Sequence, residues 1–158
     1  MEAWKTEKSE QVLDTPWVRV RKDTVSLPNG KRMDDFYAVT IRDAAAIVAL
    51  DEDGNVLLKR EYRHCYGREL IEIPAGAFEP GETDALAVAK RELLEETGYV
   101  SEHWQYLGST IDSSAKLTNY MHLFLAANCR HVAGQHLDAT EILTAEAVPL
   151  KKAVDMVM

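Results

Sequence analysis

Residues 76–99 read GAFEPGETDALAVAKRELLEETGY, and the second half of this stretch has the pattern of a helix rich in acids. The pattern predicts a helix over residues 84–97. Thr83 or Asp84 suits the N-cap position, and Gly98 suits the position where a helix ends. This predicted helix follows a loop that contains Pro80 and Gly81, and the prediction of the fold rests on it.

Three glutamates share one stripe of this helix. Glu92, Glu95 and Glu96 are spaced i, i+3 and i+4, which places them within an arc of about 100°. Such carboxylates repel one another by a few tenths of a kcal/mol per pair, and the negative end of the helix dipole disfavours them further. A solvated acidic face is one interpretation. The other is a set of oxygen ligands for Mg²⁺ or Mn²⁺, which the loop segments 74–76 and 80–82 favour because they bring backbone and a further carboxylate toward the helix.

Most of the remaining chain has the pattern of strands. Segments rich in β-branched or continuous apolar residues alternate with turn sequences such as the asparagine–glycine pair at 29–30. The segment 151–158 is predicted to begin a second helix. Many strands, one central helix, further strands and a last helix predict an α+β fold with helices packed on mixed sheets. The predicted strands are 17–27, 36–41, 44–50, 56–62, 70–73, 104–111, 120–126 and 142–148.

Length and composition predict one domain without membrane spans. The chain has 158 residues, 46% of them hydrophobic, and its longest apolar run covers seven residues, far short of the ~20 that a span requires. The net charge of −8 disfavours broad binding to nucleic acid, although it permits a small anionic ligand beside a few arginines or a cation. Cys65 and Cys129 show no metal or redox spacing, so we expect a reduced, cytoplasmic protein.

The helix and the loop before it resemble the signature of the Nudix hydrolases. That signature is Gly, five residues, Glu, seven residues and then R-E-U-x-E-E-x-G-U, where U is a bulky apolar residue. Here Gly76 is followed after five residues by Glu82, and after eight more by Arg91, from which RELLEETGY runs to Tyr99. The one extra residue is most simply placed near residues 83–85. It leaves the helix residues in register and leaves its effect on Glu82 open.

The resemblance extends over about residues 15–150. LLKREYR at 57–63, EIPAG at 72–76 and the hairpin at 17–41 look like the branch of ADP-ribose pyrophosphatases. The resemblance implies a Nudix-type α/β/α sandwich with a mixed sheet and an N-terminal antiparallel hairpin region. It implies a single Nudix hydrolase domain over 1–158, in which the strands of 1–42 contribute to a homodimer and 43–158 form the catalytic core.

The implied activity is metal-dependent hydrolysis of the pyrophosphate bond in a nucleoside diphosphate sugar, such as ADP-ribose, to a nucleoside monophosphate and a sugar phosphate. Mg²⁺ is the expected cofactor, with Mn²⁺ as a possible substitute. Two alternatives stay open. One is a Nudix hydrolase of nucleoside triphosphates or dinucleoside polyphosphates, and the other is a non-catalytic Nudix-like module that senses a nucleotide. The sequence does not name the base or the sugar.

The resemblance also assigns roles near the metal. It implies that Glu92, Glu96 and the carbonyl of Ala75 bind the metal, with Glu95 beside them, and that Arg91 orients these carboxylates through salt bridges. The branch commonly carries a glutamate as general base in a later loop. Asn119 stands at that position here and cannot accept a proton from water.

The candidates for the general base are therefore Glu95, Glu82 and Glu141. Arg63 is the best candidate for a contact with a substrate phosphate. Glu72 has two open interpretations, a hydrogen bond to the base or ribose of the substrate and an ion pair on the face of a strand. Lys116 is a further candidate for a phosphate contact.

Overall fold

The structure is a computed structural model that describes the backbone of residues 2–157 and the side chains of residues 2–156. The chain divides into two compact units. One contains the residues up to Asp43 together with Ile111–Tyr120, and the other contains Ala44–Thr110 together with the residues from Met121 onward. Among the described residues, no helix is both long and apolar enough to cross a lipid bilayer.

The first unit is a three-stranded antiparallel sheet in the order β1-β2-β3, with β1 at Lys5–Asp14, β2 at Arg19–Ser26 and β3 at Arg32–Thr40. This sheet confirms the expected N-terminal hairpin region and adds β1, which no predicted strand covered. Every residue of β1 is exposed, and its polar sequence KTEKSEQVLD lacks the alternation that marks a half-buried strand. The segment 111–120 joins this unit through a bridge between Val39 and Leu117.

The second unit has a mixed sheet and two helices. Its central strands follow the order β11-β5-β4-β10-β8, and the pairing of β10 with β4 is parallel while the other pairings are antiparallel. The first helix begins at Ala85, as the sequence predicts within one residue, and the last residue of the predicted second helix, Met158, lies outside the described residues. The elements are β4 (Ala44–Asp51), β5 (Asn55–Arg63), a 3-10 turn (His64–Tyr66), β6 (Arg68–Glu72), β7 (Ala75–Ala77), α1 (Ala85–Thr97), β8 (Tyr99–Val100), β9 (His103–Thr110), β10 (Met121–His131), β11 (Leu143–Pro149) and α2 (Leu150–Val157).

The two helices cover opposite faces of this sheet. Odd-numbered residues of β4 and Leu57 of β5 pack with Val88 and Leu93 of α1. The neighbouring β5 residues Val56 and Leu58 face the other way and pack with Ala153 of α2. Because successive side chains of a strand point to opposite faces, this division confirms the expected α/β/α arrangement.

The same alternation determines which side chains of β5 face the glutamates of α1. Lys59 and Glu61 follow Leu57 at two-residue steps in β5, so they lie on the face that α1 covers. Strand β10 pairs with the whole length of β4 on one edge, so β5 and β7 share the other edge, where β7 pairs with the start of β4 and Gly76 lies opposite Ala45. The sheet therefore brings β5 and β7 beside the acidic end of α1.

Candidate active site

Helix α1 is fixed at both ends by its own sequence. The Asp84 side chain accepts a hydrogen bond from the Leu86 backbone amide at 2.9 Å, which identifies Asp84 as the N-cap. Gly98 ends the helix in a left-handed conformation with φ of 74°, which a glycine adopts without strain. The helix thus begins within the segment 83–85, where the sequence most simply places the extra residue of the signature.

The glutamate stripe is not a solvated face. Glu92 and Glu96 lie on the buried side of α1 beside Leu93, and Glu96 is 2% exposed. Glu95 lies further out, with 38% of its side chain exposed. Two buried carboxylates at the end of a helix require nearby cations or hydrogen-bond donors, and the structure supplies both.

Lys59 is the cation at the buried end. It is 1% exposed, and its ammonium forms an ion pair with Glu96 Oε1. Lys59 Nζ also donates to the carbonyl of Ala75 at 3.2 Å and lies 3.5 Å from Glu61 Oε2. The Ala75 amide donates to Glu96 Oε2 at 3.0 Å, so both oxygens of this carboxylate are bonded. Sequence reasoning missed Lys59, and the available signal was a lysine directly after the apolar residues 56–58 of a predicted strand.

Arg91 is the cation at the rim. Its guanidinium bonds Glu92 Oε1 at 2.8 Å and Glu95 Oε2 at 3.0 Å through Nη1. Its Nε and Nη2 each lie 3.1 Å from one oxygen of Glu82, a bidentate pair, and Nη2 also donates to the Ala77 carbonyl at 3.2 Å. The extra residue thus does not remove Glu82 from the site, because Glu82 still reaches Arg91.

Gly76 leaves room for a carboxylate. A Cβ atom at this position would overlap the carboxylate of Glu92. The backbone of β7 therefore lies directly against Glu92, with the Ala75 carbonyl adjacent in the chain. This close approach gives a physical reason for the glycine that begins the signature.

The carboxyl groups differ in their affinity for a proton. Burial raises the pKa of Glu96 to about 7, against the opposing attraction of Lys59. Burial also raises the pKa of Glu92, and the negative charges of Glu95 and Glu141 add to that effect. Hydrogen bonds from Arg91 lower the pKa of Glu82 below its usual range. The two buried acids thus carry charge at a cost, which a bound cation would offset.

Arg63 and Glu72 contact each other at the end of β5 and β6. Arg63 Nη2 lies 2.7 Å from Glu72 Oε2, and its Nη1 lies 2.8 Å from Glu61 Oε1. This is the strand-face ion pair that was one of the two interpretations of Glu72. Contacts of Arg63 and Glu72 with a substrate stay predictions. Glu61 bridges the two cations, because its other oxygen faces Lys59.

The loop before β11 returns to the end of α1. Gln135 Nε2 donates to the Glu96 carbonyl at 2.5 Å, and the His136 amide donates to the Glu95 carbonyl at 2.9 Å. These bonds satisfy carbonyls that the end of a helix leaves unpaired. Glu141 follows in the same loop, where its carboxylate accepts a bond from the Asp138 amide at 3.1 Å. The loop contacts with α1 had no signal in the sequence.

Lys116 and Asn119 belong to the unit that contains the N-terminal sheet. The Lys116 ammonium lies 4.8 Å from the centre of the Phe36 ring, a cation–π contact. Asn119 is 1% exposed, and its Nδ2 donates to Asp112 at 3.0 Å. Its Oδ1 has no hydrogen-bond partner among the described residues. The proposed phosphate contact of Lys116 stays a prediction.

The donors at the end of α1 suit a hard divalent cation. Carboxylates of Glu92 and Glu96 and the carbonyl of Ala75 are all oxygen ligands, the type that Mg²⁺ and Mn²⁺ prefer. Within residues 2–157, no three Asp, Glu, His or Cys side chains converge into a group that could hold a metal by themselves. The backbone carbonyl of Ala75 is therefore needed to complete the candidate ligand set. The Lys59 ammonium is hydrogen-bonded to this carbonyl.

Two family models match consecutive parts of the chain. Residues 40–157 match the model described as NUDIX domain, and residues 4–39 match the model described as nucleoside diphosphate sugar hydrolase N-terminal domain. The boundary between the two matches falls at the end of β3. The first match contains all of α1, β5 and β7, and therefore the whole cluster around Lys59 and Arg91.

Several curated proteins are similar in sequence. A methanol dehydrogenase activator of Bacillus methanolicus is 35% identical over 77% of this chain and 65% of its own length. An ADP-ribose pyrophosphatase of Mycobacterium tuberculosis is 34% identical over 72% of this chain and 54% of its own. An ADP-ribose pyrophosphatase of Bacillus subtilis is 30% identical over 97% of this chain and 82% of its own. The chain thus spans about half to two thirds of the length of the first two relatives and 82% of the length of the third.

A solved structure described as an ADP compounds hydrolase has the same fold. Its TM-score to this chain is 0.83, with coverage of 99% of this chain and 84% of that one, at 22% sequence identity. At this identity, the likeness shows the fold.

Proposed function

The chain belongs to the Nudix family, and on that premise we propose that it hydrolyses the pyrophosphate bond of a nucleoside diphosphate sugar, such as ADP-ribose. The products are a nucleoside monophosphate and a sugar phosphate. The observation that carries this proposal is the match of residues 4–39 to the N-terminal domain of nucleoside diphosphate sugar hydrolases, directly before the NUDIX match over residues 40–157, which contains every fixed residue of the signature. Relatives named ADP-ribose pyrophosphatase support the same substrate class.

We propose that Ala75, Glu92 and Glu96 hold a divalent cation, Mg²⁺ or Mn²⁺. When bound, such a cation would offset the negative charge of the diphosphate and lower the pKa of the attacking water. Burial of Glu92 and Glu96 supports this assignment, because their charges are costly in the absence of a partner. Arg91 holds Glu92 and Glu95 in place through one nitrogen, so its proposed role is to position these carboxylates.

Glu95 is the preferred candidate for the general base. Its carboxylate accepts a hydrogen bond from Arg91, and 38% of its side chain is exposed, so water reaches it. Glu141 is the second candidate, because it lies close enough to Glu92 to raise the pKa of that group. Glu82 is the weakest of the three, since Arg91 holds both of its oxygens and lowers its pKa. Its proposed role is therefore to fix Arg91.

The proposed substrate contacts come from β5 and β6. Arg63 offers a guanidinium to a phosphate, at the cost of one of its bonds to Glu61 or Glu72. Glu72, released from that pair, would accept a hydrogen bond from the base or ribose. Lys116 stays a candidate for a second phosphate contact.

We also propose a homodimer formed through the N-terminal strands of residues 1–42, in a reduced, cytoplasmic setting. The first unit exposes Trp17 at 73% together with Val12, Leu13 and Tyr37, more apolar surface than its small core of Val25 and Ala38 can cover. Both cysteines are free, which suits a reducing compartment. Light scattering at micromolar concentration tests the dimer, and a monomer would contradict it.

A substrate panel with MgCl₂, analysed by chromatography, tests the activity. The proposal expects ADP-ribose or another nucleoside diphosphate sugar to yield a nucleoside monophosphate and a sugar phosphate. Inorganic pyrophosphate released from a nucleoside triphosphate would favour the alternative Nudix hydrolase. Turnover of none of these substrates would contradict an enzymatic role and favour a nucleotide sensor.

A further inference from the structure

Lys59 contacts the same groups to which the proposed function assigns a divalent cation. Its ammonium lies against the Ala75 carbonyl and Glu96, two of the three proposed ligands. An ammonium with oxygen atoms around it resembles a bound cation in charge and in the type of group it attracts. With the Ala75 amide on Glu96 Oε2, the ion pair leaves no unbonded oxygen on Glu96.

We propose that Lys59 is a built-in competitor for the metal site, which a divalent cation must displace before it binds Ala75 and Glu96. This inference rests on the proposed function for the identity of the metal ligands. The role of Lys59 is inferred from its position, since this residue is almost fully buried and lies on the face of β5 that α1 covers.

A displaced ammonium needs another partner, because a buried charge without one is costly. Glu61 provides it. Its Oε2 lies 3.5 Å from Lys59 Nζ, while its Oε1 is held by Arg63 at 2.8 Å. A rotation of the lysine side chain away from Glu96 therefore ends on a carboxylate that is already fixed. Lys59 thus alternates between Glu96 without metal and Glu61 with metal.

The alternation reduces the apparent affinity for metal by the fraction of molecules in which Glu96 is free of the lysine. It also keeps the buried carboxylates compensated when no metal is present. Glu61 then has a definite task, to hold the displaced lysine. A glutamine at its position would offer an amide oxygen without the negative charge that a displaced ammonium requires.

Binding of Mn²⁺ alone, measured by loss of the electron paramagnetic resonance signal of free Mn²⁺, tests the proposal without substrate or turnover. Lys59→Met keeps a similar side-chain length without charge and is expected to bind Mn²⁺ at least tenfold more tightly than the wild type. Lys90→Met removes a charge from the exposed side of α1 and serves as the matched control, with an expected change below twofold.

Glu61→Gln is expected to have the opposite effect, a weaker affinity for Mn²⁺ by about threefold or more, because the displaced lysine loses its partner. In the double variant Lys59→Met, Glu61→Gln this loss should disappear, since no lysine remains to be held. Glu61→Gln keeps the test decisive if Lys59→Met does not fold.

The outcomes separate this inference from the proposed function. Equal affinity in the wild type and Lys59→Met, or equal affinity in the wild type and Glu61→Gln, would overturn the inference and leave the metal ligands intact. Weaker binding in Lys59→Met would also overturn it and would make Lys59 a support of the site. Absence of Mn²⁺ binding in every variant would overturn the inference together with the proposed metal ligands.

Discussion

Two cations hold the carboxylates of α1, and they do so in different surroundings. Arg91 lies at the rim with 24% of its side chain exposed, and it binds three carboxylates and a backbone carbonyl through a rigid fork. Lys59 lies in the interior with 2% of its side chain exposed, on a flexible stem between Glu96 and Glu61. The rim cation fixes geometry, whereas the interior cation compensates charge and is able to change partners.

The difference explains why the pKa values of two glutamates of the same site, Glu82 before α1 and Glu96 within it, shift in opposite directions. Hydrogen bonds from Arg91 lower the pKa of Glu82, while burial raises the pKa of Glu96 despite its ion pair with Lys59. The charge of Glu96 is therefore the one that a metal ion would compensate best. We call Arg91 with Glu82, Glu92 and Glu95 the rim group, and Lys59 with Glu61 and Glu96 the interior group. Substitutions in the two groups should therefore differ in their effects on kcat, on the affinity for metal and on the pH dependence of stability.

The largest expected effect follows from Glu96→Gln, which removes a proposed metal ligand from the interior group. We expect kcat with MgCl₂ to fall by on the order of 10² or more. Stability in EDTA should stay level or rise slightly, because the costly buried charge is removed and Lys59 keeps Glu61 as a partner. Steady-state kinetics and thermal unfolding measure the two effects. Retained kcat would contradict the assignment of Glu96 to the metal.

Gly76→Ala should have the next largest effect, through steric displacement of Glu92. The added Cβ would overlap the Glu92 carboxylate, so either this side chain or the β7 backbone must move. We expect a loss of kcat by about 10- to 100-fold, since small displacements in a catalytic site are costly.

Gly134→Ala is the matched control for this substitution, because a Cβ at Gly134 meets nothing within 4 Å. It should leave kcat within about twofold of the wild type. If Gly76→Ala keeps normal activity, the contact between β7 and Glu92 is not required for catalysis.

Arg91→Lys should cause a smaller loss of kcat, and it tests whether the rim group and the interior group act independently. Lysine keeps the charge but lacks the fork that binds Glu82 bidentately and reaches Glu92 and Glu95 together. We expect kcat to fall by roughly tenfold with a smaller loss of affinity for Mn²⁺, because Arg91 contacts one proposed ligand, Glu92, while the other two, Ala75 and Glu96, are held by Lys59. A loss of Mn²⁺ affinity as large as the loss of kcat would show that the two groups are not independent.

The sequence was sufficient for the helix, its caps and the rim group. The signature residues Gly76, Glu82 and Arg91 fall where their spacing predicts, because a helix fixes the relative positions of its side chains. The effect of the one-residue insertion on Glu82 was open in the sequence, and the structure shows that Glu82 still bonds Arg91 through both oxygens.

The interior group could not be derived in the same way. Lys59 and Glu61 come from β5, far from α1 in the chain, and only the strand alternation and the pairing of β5 with its neighbours bring them to Glu96. The polar, fully exposed β1 also lacked a signal, because no hydrophobic period marks it. Contacts between distant segments depend on topology, which local patterns do not encode.

The smallest expected effect concerns the pH dependence of stability at the rim. The pKa of Glu82 is lowered in the folded chain, so its ionised form stabilises the fold above the unfolded pKa of about 4.5. This contribution is lost as the pH falls through the folded pKa. Glu82→Gln should therefore lower the free energy of unfolding most at pH 7 and by progressively less toward pH 3. Urea unfolding in EDTA measures the difference between variant and wild type.

Glu96→Gln supplies the contrast from the interior group. The pKa of Glu96 is raised to about 7, so the folded chain holds a proton there that the unfolded chain releases above about pH 4.5. Between these values a rising pH lowers the stability of the wild type, and the difference between Glu96→Gln and the wild type should grow in favour of the variant. The two variants are therefore expected to diverge in opposite directions as the pH rises from 4 to 7. Parallel pH profiles would mean that Arg91 and Lys59 place their carboxylates in equivalent surroundings, which would remove the distinction between a rim cation that fixes geometry and an interior cation that compensates charge.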